Sequence, residues 1–244
     1  MKKYIVSVFM LTNLTSSLLM GSVESTFLKS FIKNGDVVFD VGANVGKKTE
    51  VYLACGARVV CFEPQPECIA ILNSKYKNND NVIIEQIGLA DKDGYLELFQ
   101  CLQANTISTC SQSWTQEGRF VEQGYTWDKK IIIAVSTLDH MIAKYGKPNF
   151  CKIDVENFEF EVLKGLTQPI SYISFEFASE TIKNTQKCVD YLIALGYQHF
   201  NVSLGEGHSF ALKQWVSAEV LMKKLETMIE GDALLWGDVY ASCI

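Results

Sequence analysis

Basic residues are in the minority and nowhere clustered in this chain: 22 Lys and Arg stand against 28 Asp and Glu over 244 residues, a net charge of −6. Without a basic patch there is no electrostatic footprint for a nucleic-acid backbone, so a polynucleotide partner is disfavoured. Proline is scarce, with four residues, and there is neither a low-complexity tract nor an internal repeat. Nothing therefore marks a linker. The eight cysteines (Cys55, Cys61, Cys68, Cys101, Cys110, Cys151, Cys188, Cys243) contain no Cys-x-x-Cys pair and no Cys/His zinc spacing. Cys61 and Cys151 fall in apolar, strand-like runs, where a free thiol behaves as a small hydrophobe, and the set reads as reduced thiols in a reducing compartment.

A long unbroken apolar run is also missing. After Met1-Lys-Lys the stretch Tyr4 to Met20 is uncharged and largely apolar, but Thr12, Asn13, Thr15, Ser16 and Ser17 interrupt it and no Ala-x-Ala cleavage site follows. A signal peptide or membrane-proximal anchor and a helix packed on the domain both remain open for it. The expected organisation is an apolar segment over 1–21 and one domain over 22–244, of a size that buries a sizeable core.

Strand-like and helix-like segments alternate through that domain. A helix around Val23 to Ile32 precedes a buried strand Val37 to Val41, a helix from Val45 to about Cys55 with Gly56 as its stop, and a strand Arg58 to Phe62. A helix from Pro66 to about Tyr76 and a strand Val82 to Glu85 follow. Tyr95 to Phe99 and Ile131 to Val135 read as paired strands around a polar stretch of about 100–130, too long for an ordinary connection. Its Trp114, Phe120, Tyr125 and Trp127 suit either stacking on a substrate or covering the loop's own base. Helix Ser136 to Gly146, strand Asn149 to Ile153, helix Glu159 to Leu166 and strand Tyr172 to Phe175 come next. The chain continues with helix Thr181 to Leu195, strand Gln198 to Val202, a hairpin near Gly205 to Gly207, a helix from about Ser217 to Ile229 and an apolar run Ala233 to Tyr240. Such alternation predicts an α/β, doubly wound, mostly parallel sheet.

The most informative stretch is Gly35 to Gly46, an apolar run ending in Asp40 and then the turn Gly42-Ala-Asn-Val-Gly46, answered by Glu63 at the end of the next strand. A Gly-x-Gly-x-x-Gly loop sets backbone amides against a pyrophosphate. Here Asn44 stands at the second glycine position, and Asp40, two residues before the first glycine, would repel a phosphate. An acid beside a glycine turn suits a ligand with a cationic amino group, and Glu63 is placed to accept ribose hydroxyls. The plain alternative is that Gly42 and Gly46 only allow a tight turn and Glu63 only faces water.

The segments Asp36 to Gly46, Phe62-Glu-Pro64, Gly88-Leu-Ala-Asp-Lys-Asp-Gly94, Ser136-Thr-Leu-Asp139, Lys152-Ile-Asp-Val-Glu156 and Glu161-Val-Leu-Lys-Gly165, in this order, resemble the FkbM family of O-methyltransferases. The resemblance covers about residues 24–180. It implies a class I methyltransferase fold, a Rossmann-like seven-stranded sheet with helices on both faces and an antiparallel last strand near Ala233 to Tyr240. It further implies S-adenosylmethionine as cofactor and a hydroxyl of a sugar, lipid or small metabolite as acceptor. On this reading Gly42, Asn44 and Gly46 form the floor under the amino-acid half of the cofactor, Asp40 meets its amino group, Glu63 holds the ribose, and the Gln86 to Leu89 segment borders the adenine. The family commonly has glycine where this chain has Asn157, and Lys47-Lys48 beside a cationic ligand is unusual unless the pair points to solvent. Asparagine tolerates the left-handed backbone such a turn needs.

A second constellation is acidic: Asp154 and Glu156 after one strand and Glu176 at the end of its expected neighbour. In a doubly wound sheet these ends meet at the ligand crevice. Crowded carboxylates raise one another's proton affinity, which suits a general base, with Asp154 first and Glu156 second; alternatively they share a divalent cation, which the motifs do not themselves imply. The plain alternative is that they cap the helix near Glu159 or pair with Lys152. His140 and His199 read as packed or surface residues, and His208 as a turn residue within reach of the crevice. Two rival functions keep the fold: an NAD(P)-dependent oxidoreductase, which needs a pyrophosphate-tolerant glycine loop, and a non-catalytic binding protein, against which Asp40, Glu63 and Asp154 speak. Because S-adenosylmethionine is a cytoplasmic metabolite, the expected location is the cytoplasm, with contact to a membrane through the N-terminal segment possible.

Overall fold

The computed structural model describes residues 24–207 and 209–244. The apolar segment Tyr4 to Met20 and His208 lie outside the described residues. Seven strands form the central sheet: β1 (Val37–Val41), β2 (Arg58–Phe62), β3 (Val82–Glu85), β7 (Phe150–Ile153), β8 (Tyr172–Ala178), β9 (His199–Leu204) and β10 (Trp236–Ser242). Their spatial order is β3-β2-β1-β7-β8-β10-β9, parallel from β3 to β8, with β10 antiparallel to both neighbours. This is the doubly wound sheet with an antiparallel last strand that the sequence implies. The pair β5 (Gly94–Gln100) and β6 (Lys129–Ser136) is antiparallel as expected, but joins β4 (Gly88–Leu89) in a separate three-stranded sheet.

Helices cover both faces. Helix α1 (Lys47–Ala54), α2 (Pro66–Tyr76) and a short helical stretch at 24–28 pack on one face through Leu28, Val51, Tyr52, Ile69 and Leu72, against Val38, Val59 and Phe150 of the sheet. The opposite face takes α4 (Leu138–Tyr145), α5 (Glu159–Lys164), α6 (Ile182–Ala194) and α7 (Ala218–Gly231), which bury Leu138, Val162, Leu192 and Leu221 against Phe39, Ile153, Phe175 and Val239. Helix α3 (Arg119–Glu122) belongs to the long connection between β5 and β6. Two helix starts are capped: Thr137 accepts from the His140 amide at the start of α4, and Ser217 from the Val220 amide at the start of α7. Among the described residues no helix is long and apolar enough to cross a membrane.

Successive strand residues point to opposite faces. The set Phe39, Val41, Val60, Phe62, Ile153, Phe175, Val202 and Val239 therefore makes one face wholly apolar. The other face carries a polar row toward the carboxyl ends of the strands, because the register pairs Cys61 with Asp40, Asp40 with Lys152, Lys152 with Ser174, and Glu176 with Asp238. A row of buried polar groups costs stability unless its members satisfy one another. Its position, under the crevice at the strand ends, is where doubly wound sheets place ligands.

Candidate active site

Asp40 is 2% exposed and accepts a hydrogen bond from the Thr49 hydroxyl of α1 at 2.6 Å. Burial raises its pKa to about 6, against the pull of that hydrogen bond. The turn after β1 is fixed by the Gly42 and Ala43 amides, which donate to the Phe62 carbonyl at 2.9 and 3.2 Å. Gly42 has φ +83°, and a Cβ there would lie 1.9 Å from the Asp154 carbonyl oxygen, so only glycine lets the β1 and β7 ends approach so closely. Asn44 takes the left-handed conformation (φ 49°) with its side-chain oxygen accepting from the Val45 amide at 2.9 Å.

Glu63 is also 2% exposed. One carboxylate oxygen accepts from the Asn44 amide and the other from the Gln65 amide, both at 2.8 Å. The glycine turn and the second strand are thus tied together through this side chain, and each oxygen keeps a further lone pair for a ligand. Burial outweighs both hydrogen bonds and pushes its pKa up to about 7. Gln86 lies exposed just past the end of β3. Leu89 is 3% exposed and its side chain packs in the core beside the β4–β6 pairing.

The two acids after β7 and Glu176 of β8 come together. Carboxylate oxygens of Asp154, Glu156 and Glu176 all lie within 4.8 Å of one another, a spacing at which carboxylates share a proton or a cation. Burial, then the charge of Asp154, holds Glu156 and Glu176 well above the usual carboxylate range. Glu176 does not end its strand: β8 runs on to Ala178, and Glu176 faces inward opposite Asp238. The strand extends because β10 pairs with it along its whole length. Glu156 and Asn157 have φ 56° and 65°, so the asparagine does occupy the left-handed position of the turn. Glu159, 3% exposed, closes that turn by accepting from the Val155 amide at 3.1 Å.

Sequence reasoning treated Lys152 only as a partner and did not single out Asp238. Lys152 is 3% exposed, with its ammonium in contact with Asp238 and 3.3 Å from Asp154. Burial opposes its charge, but Asp154, Asp238 and Glu176 together hold its pKa well above the ordinary lysine value. The available signal was a charged residue inside a four-residue, otherwise apolar strand, which requires an acid nearby.

The long connection covers its own base. Phe99, Cys101, Ile107 and Trp127 form a small core with Phe120 and Tyr125 against it, and Trp127 donates to the Ile107 carbonyl at 2.8 Å. Trp114, 5% exposed, reaches the acids instead: its indole N–H donates to Glu156 at 2.9 Å, and the Thr109 hydroxyl donates to the Glu156 carbonyl at 2.6 Å. The same segment touches the Glu63 side, where Gln65 donates to the Asn105 carbonyl at 3.1 Å, and is pinned at its far end by the Arg119–Glu180 ion pair. Lys48 does not point freely to solvent but pairs with Glu24 at 2.6 Å and Glu206 at 3.4 Å, while Lys47 is exposed. His140, at 2.8 Å from Asp93, and His199 are surface residues.

The family model for the methyltransferase FkbM domain matches residues 40–199, from Asp40 through the acid cluster to the start of β9. The chain belongs to the FkbM methyltransferase family. The matched range takes in Asp40, Gly42, Asn44, Glu63, Lys152, Asp154, Glu156 and Glu176, and ends before Asp238. The hexuronic acid methyltransferase AglP of Haloferax volcanii is 28% identical over 142 residues, which cover 57% of this chain and 54% of that protein. The chain thus spans about half the length of this curated relative. Among solved structures, a precorrin-6y C5,15-methyltransferase from Geobacter metallireducens has a TM-score of 0.46 and 12% identity, over 91% of this chain and 86% of that one. Fibrillarin from Aeropyrum pernix, solved with natively bound S-adenosyl-L-methionine, has a TM-score of 0.42 and 11% identity, over 86% of this chain and 68% of that one.

Proposed function

We propose that this chain is an S-adenosylmethionine-dependent O-methyltransferase acting on a hydroxyl of a sugar, lipid or small metabolite, with a sugar favoured by the relative named as a hexuronic acid methyltransferase. The observation that carries the reading is the pairing of two buried acids, Asp40 and Glu63, around a glycine turn with no room for a side chain at Gly42. That set fits the cofactor. A buried carboxylate with a raised pKa gains from a cationic amino group beside it, and a carboxylate already oriented by two backbone amides is set to accept from two ribose hydroxyls. S-adenosylmethionine supplies an electrophilic methyl group on a sulfonium leaving group. The protein's part is alignment: Asp40, Asn44 and Glu63 fix the cofactor while the acid cluster orients the acceptor oxygen for in-line attack. Asp154, 35% exposed at its side chain, stands at the open edge of that cluster and takes the hydroxyl proton. Glu156, held by Trp114, is the alternative base.

The acid cluster carries no assignment of a metal, since Lys152 already supplies a cation to Asp154. A cytoplasmic location, where the cofactor is made, completes the proposal. Calorimetric titration with S-adenosylmethionine, followed by transfer of labelled methyl to neutral sugars, uronic acids and lipid extracts, tests it. Binding of a nicotinamide dinucleotide with no heat from S-adenosylmethionine would overturn the cofactor; binding without transfer to any acceptor would overturn the reaction.

A further inference from the structure

Lys152 is the one buried cation of the polar row, and the reaction as proposed does not use it. It sits in the middle of the row, in register with Asp40 on β1 and Ser174 on β8. Its two ion-pair partners come from different parts of the fold. Asp238, on the antiparallel strand β10, is in closer contact, and Asp154, just past the end of β7, is at 3.3 Å. The side chains are 3% exposed at Lys152, 16% at Asp238 and 35% at Asp154. The ammonium is therefore anchored from the β10 side and offers its remaining attraction to a carboxylate at the crevice edge.

We infer that Lys152, anchored by Asp238, is a positioning residue that holds the Asp154 carboxylate at the methyl-transfer end of the crevice. The inference rests on the proposed methyl transfer. Three features support it. Asp154 precedes the left-handed turn of Glu156 and Asn157, whose backbone is fixed by Glu159 and Thr109, but those contacts reach the turn and not the Asp154 side chain. Among the described residues Lys152 is the one ion-pair partner of the Asp154 carboxylate, and Glu156 and Glu176, both acids, cannot stand in for it. The unequal contacts also matter: a lysine paired equally with Asp154 would lock it, whereas one held mainly by Asp238 keeps it oriented and free to accept a proton.

The test is a double-mutant cycle on the full chain, read by transfer of labelled methyl to whichever acceptor the screen above identifies. Lys152→Met should lower kcat by tenfold or more, on the order of the general-base contribution it supports, with cofactor affinity by calorimetry changed only a few-fold. Because Lys152 acts through Asp154, Lys152→Met combined with Asp154→Asn should be no slower than Asp154→Asn alone. A merely structural lysine would give multiplying losses instead. Asp238→Asn, which keeps shape and leaves Lys152 charged, should show a smaller loss with the same non-additivity, and serves if Lys152→Met does not fold. Additive losses, or wild-type turnover in both single variants, would overturn the inference. A wild-type chain inactive on every acceptor would refute the enzymatic reading instead. Crystal structures with S-adenosylhomocysteine would then decide the positioning by themselves: a displaced Asp154 carboxylate in Lys152→Met or Asp238→Asn supports it, and an unmoved one refutes it.

Discussion

Cofactor affinity should weaken steeply as pH falls through the range where Glu63 and Asp40 take up protons. Burial places their pKa values at about 7 and about 6 in the free protein, against ordinary values of 4.5 and 3.8. A ligand that brings hydroxyl donors to Glu63 and an ammonium to Asp40 binds their ionised forms, so at lower pH it must first expel one proton and then two. With those pKa values the dissociation constant rises about 15-fold from about pH 7.5 to about pH 6, and about 100-fold by about pH 5.5. The scan stops near pH 7.5 at the upper end because an α-amino group begins to lose its own proton at about pH 8. Calorimetry in buffers of different ionisation enthalpy measures both the affinity and the protons released. Glu63→Gln should bind more weakly at about pH 7.5, approach the wild type as pH falls, and lose the first step of the profile. An affinity flat from about pH 7.5 to about pH 6, with no proton release, would refute the placement of these acids against the cofactor. The stability of the free protein runs the other way. A carboxyl whose pKa is raised on folding binds its proton more tightly in the folded state, so the stabilisation is full below the unfolded pKa and is lost as pH rises through the folded one. For Glu63 that window runs from 4.5 to about 7 and is worth about 3 kcal/mol.

Four further outcomes are expected. Asp154→Asn should keep cofactor affinity within a few-fold and lower turnover by about 100-fold or more, measured by labelled methyl transfer; full activity would move the base elsewhere. Gly42→Ala should destabilise the fold by at least about 2 kcal/mol in denaturant titration, since its Cβ would collide with the Asp154 carbonyl at a positive φ, and a neutral result would mean that the β1 and β7 ends are not so close. Trp114→Phe keeps the ring but removes the donor to Glu156, and should cost about 1–2 kcal/mol of stability; no change would show that the indole hydrogen bond is not formed in solution. Deleting residues 1–20 should leave a chain that binds cofactor as well as the full one, and loss of binding would assign that segment to the domain.

The sheet was legible because each parallel strand announces itself as a short apolar run closed by a turn signal. Val37 to Val41, Arg58 to Phe62 and Phe150 to Ile153 are such runs, buried on both faces, and their boundaries match the structure within a residue or so. Strand ends set by a partner were less legible. Tyr172 to Phe175 reads as finished at the acid, yet β8 continues to Ala178 because β10, far along the chain, supplies hydrogen-bonding partners there. The helix expected over 23–32 is regular over 24–28 among the described residues and then loosens into turns, with the Ile32 amide still donating to the Leu28 carbonyl at 2.9 Å, while Phe27 and Phe31 meet Phe210 and Tyr240. The separate small sheet was hidden for the same reason: pairing of β5 with β6 is local, but nothing local says that β4 joins them rather than extending the main sheet.

At the site, residues carried by contiguous motifs were readable and those assembled by register were not. Asp40, Gly42, Asn44 and Glu63 belong to two adjacent strand ends, and their spacing alone brings them together. Lys152 and Asp238 are 86 residues apart and meet only because β10 enters antiparallel between β8 and β9, which turns Asp238 onto the face that carries Lys152. The aromatic stretch divides along the same line. Trp127 is held by its own segment, whereas Trp114 reaches Glu156 across 42 positions, and pattern alone cannot tell a ring that covers a loop from one that braces a carboxylate. The distinction has a chemical consequence. An acid braced by an indole N–H and set beside Asp154 and Glu176 has a fixed direction, and Trp114 is the ring of this segment that donates to it. Acceptor choice should therefore follow substitutions that move the Trp114 contact more closely than substitutions at Trp127, whose loss would loosen the loop without redirecting an acid.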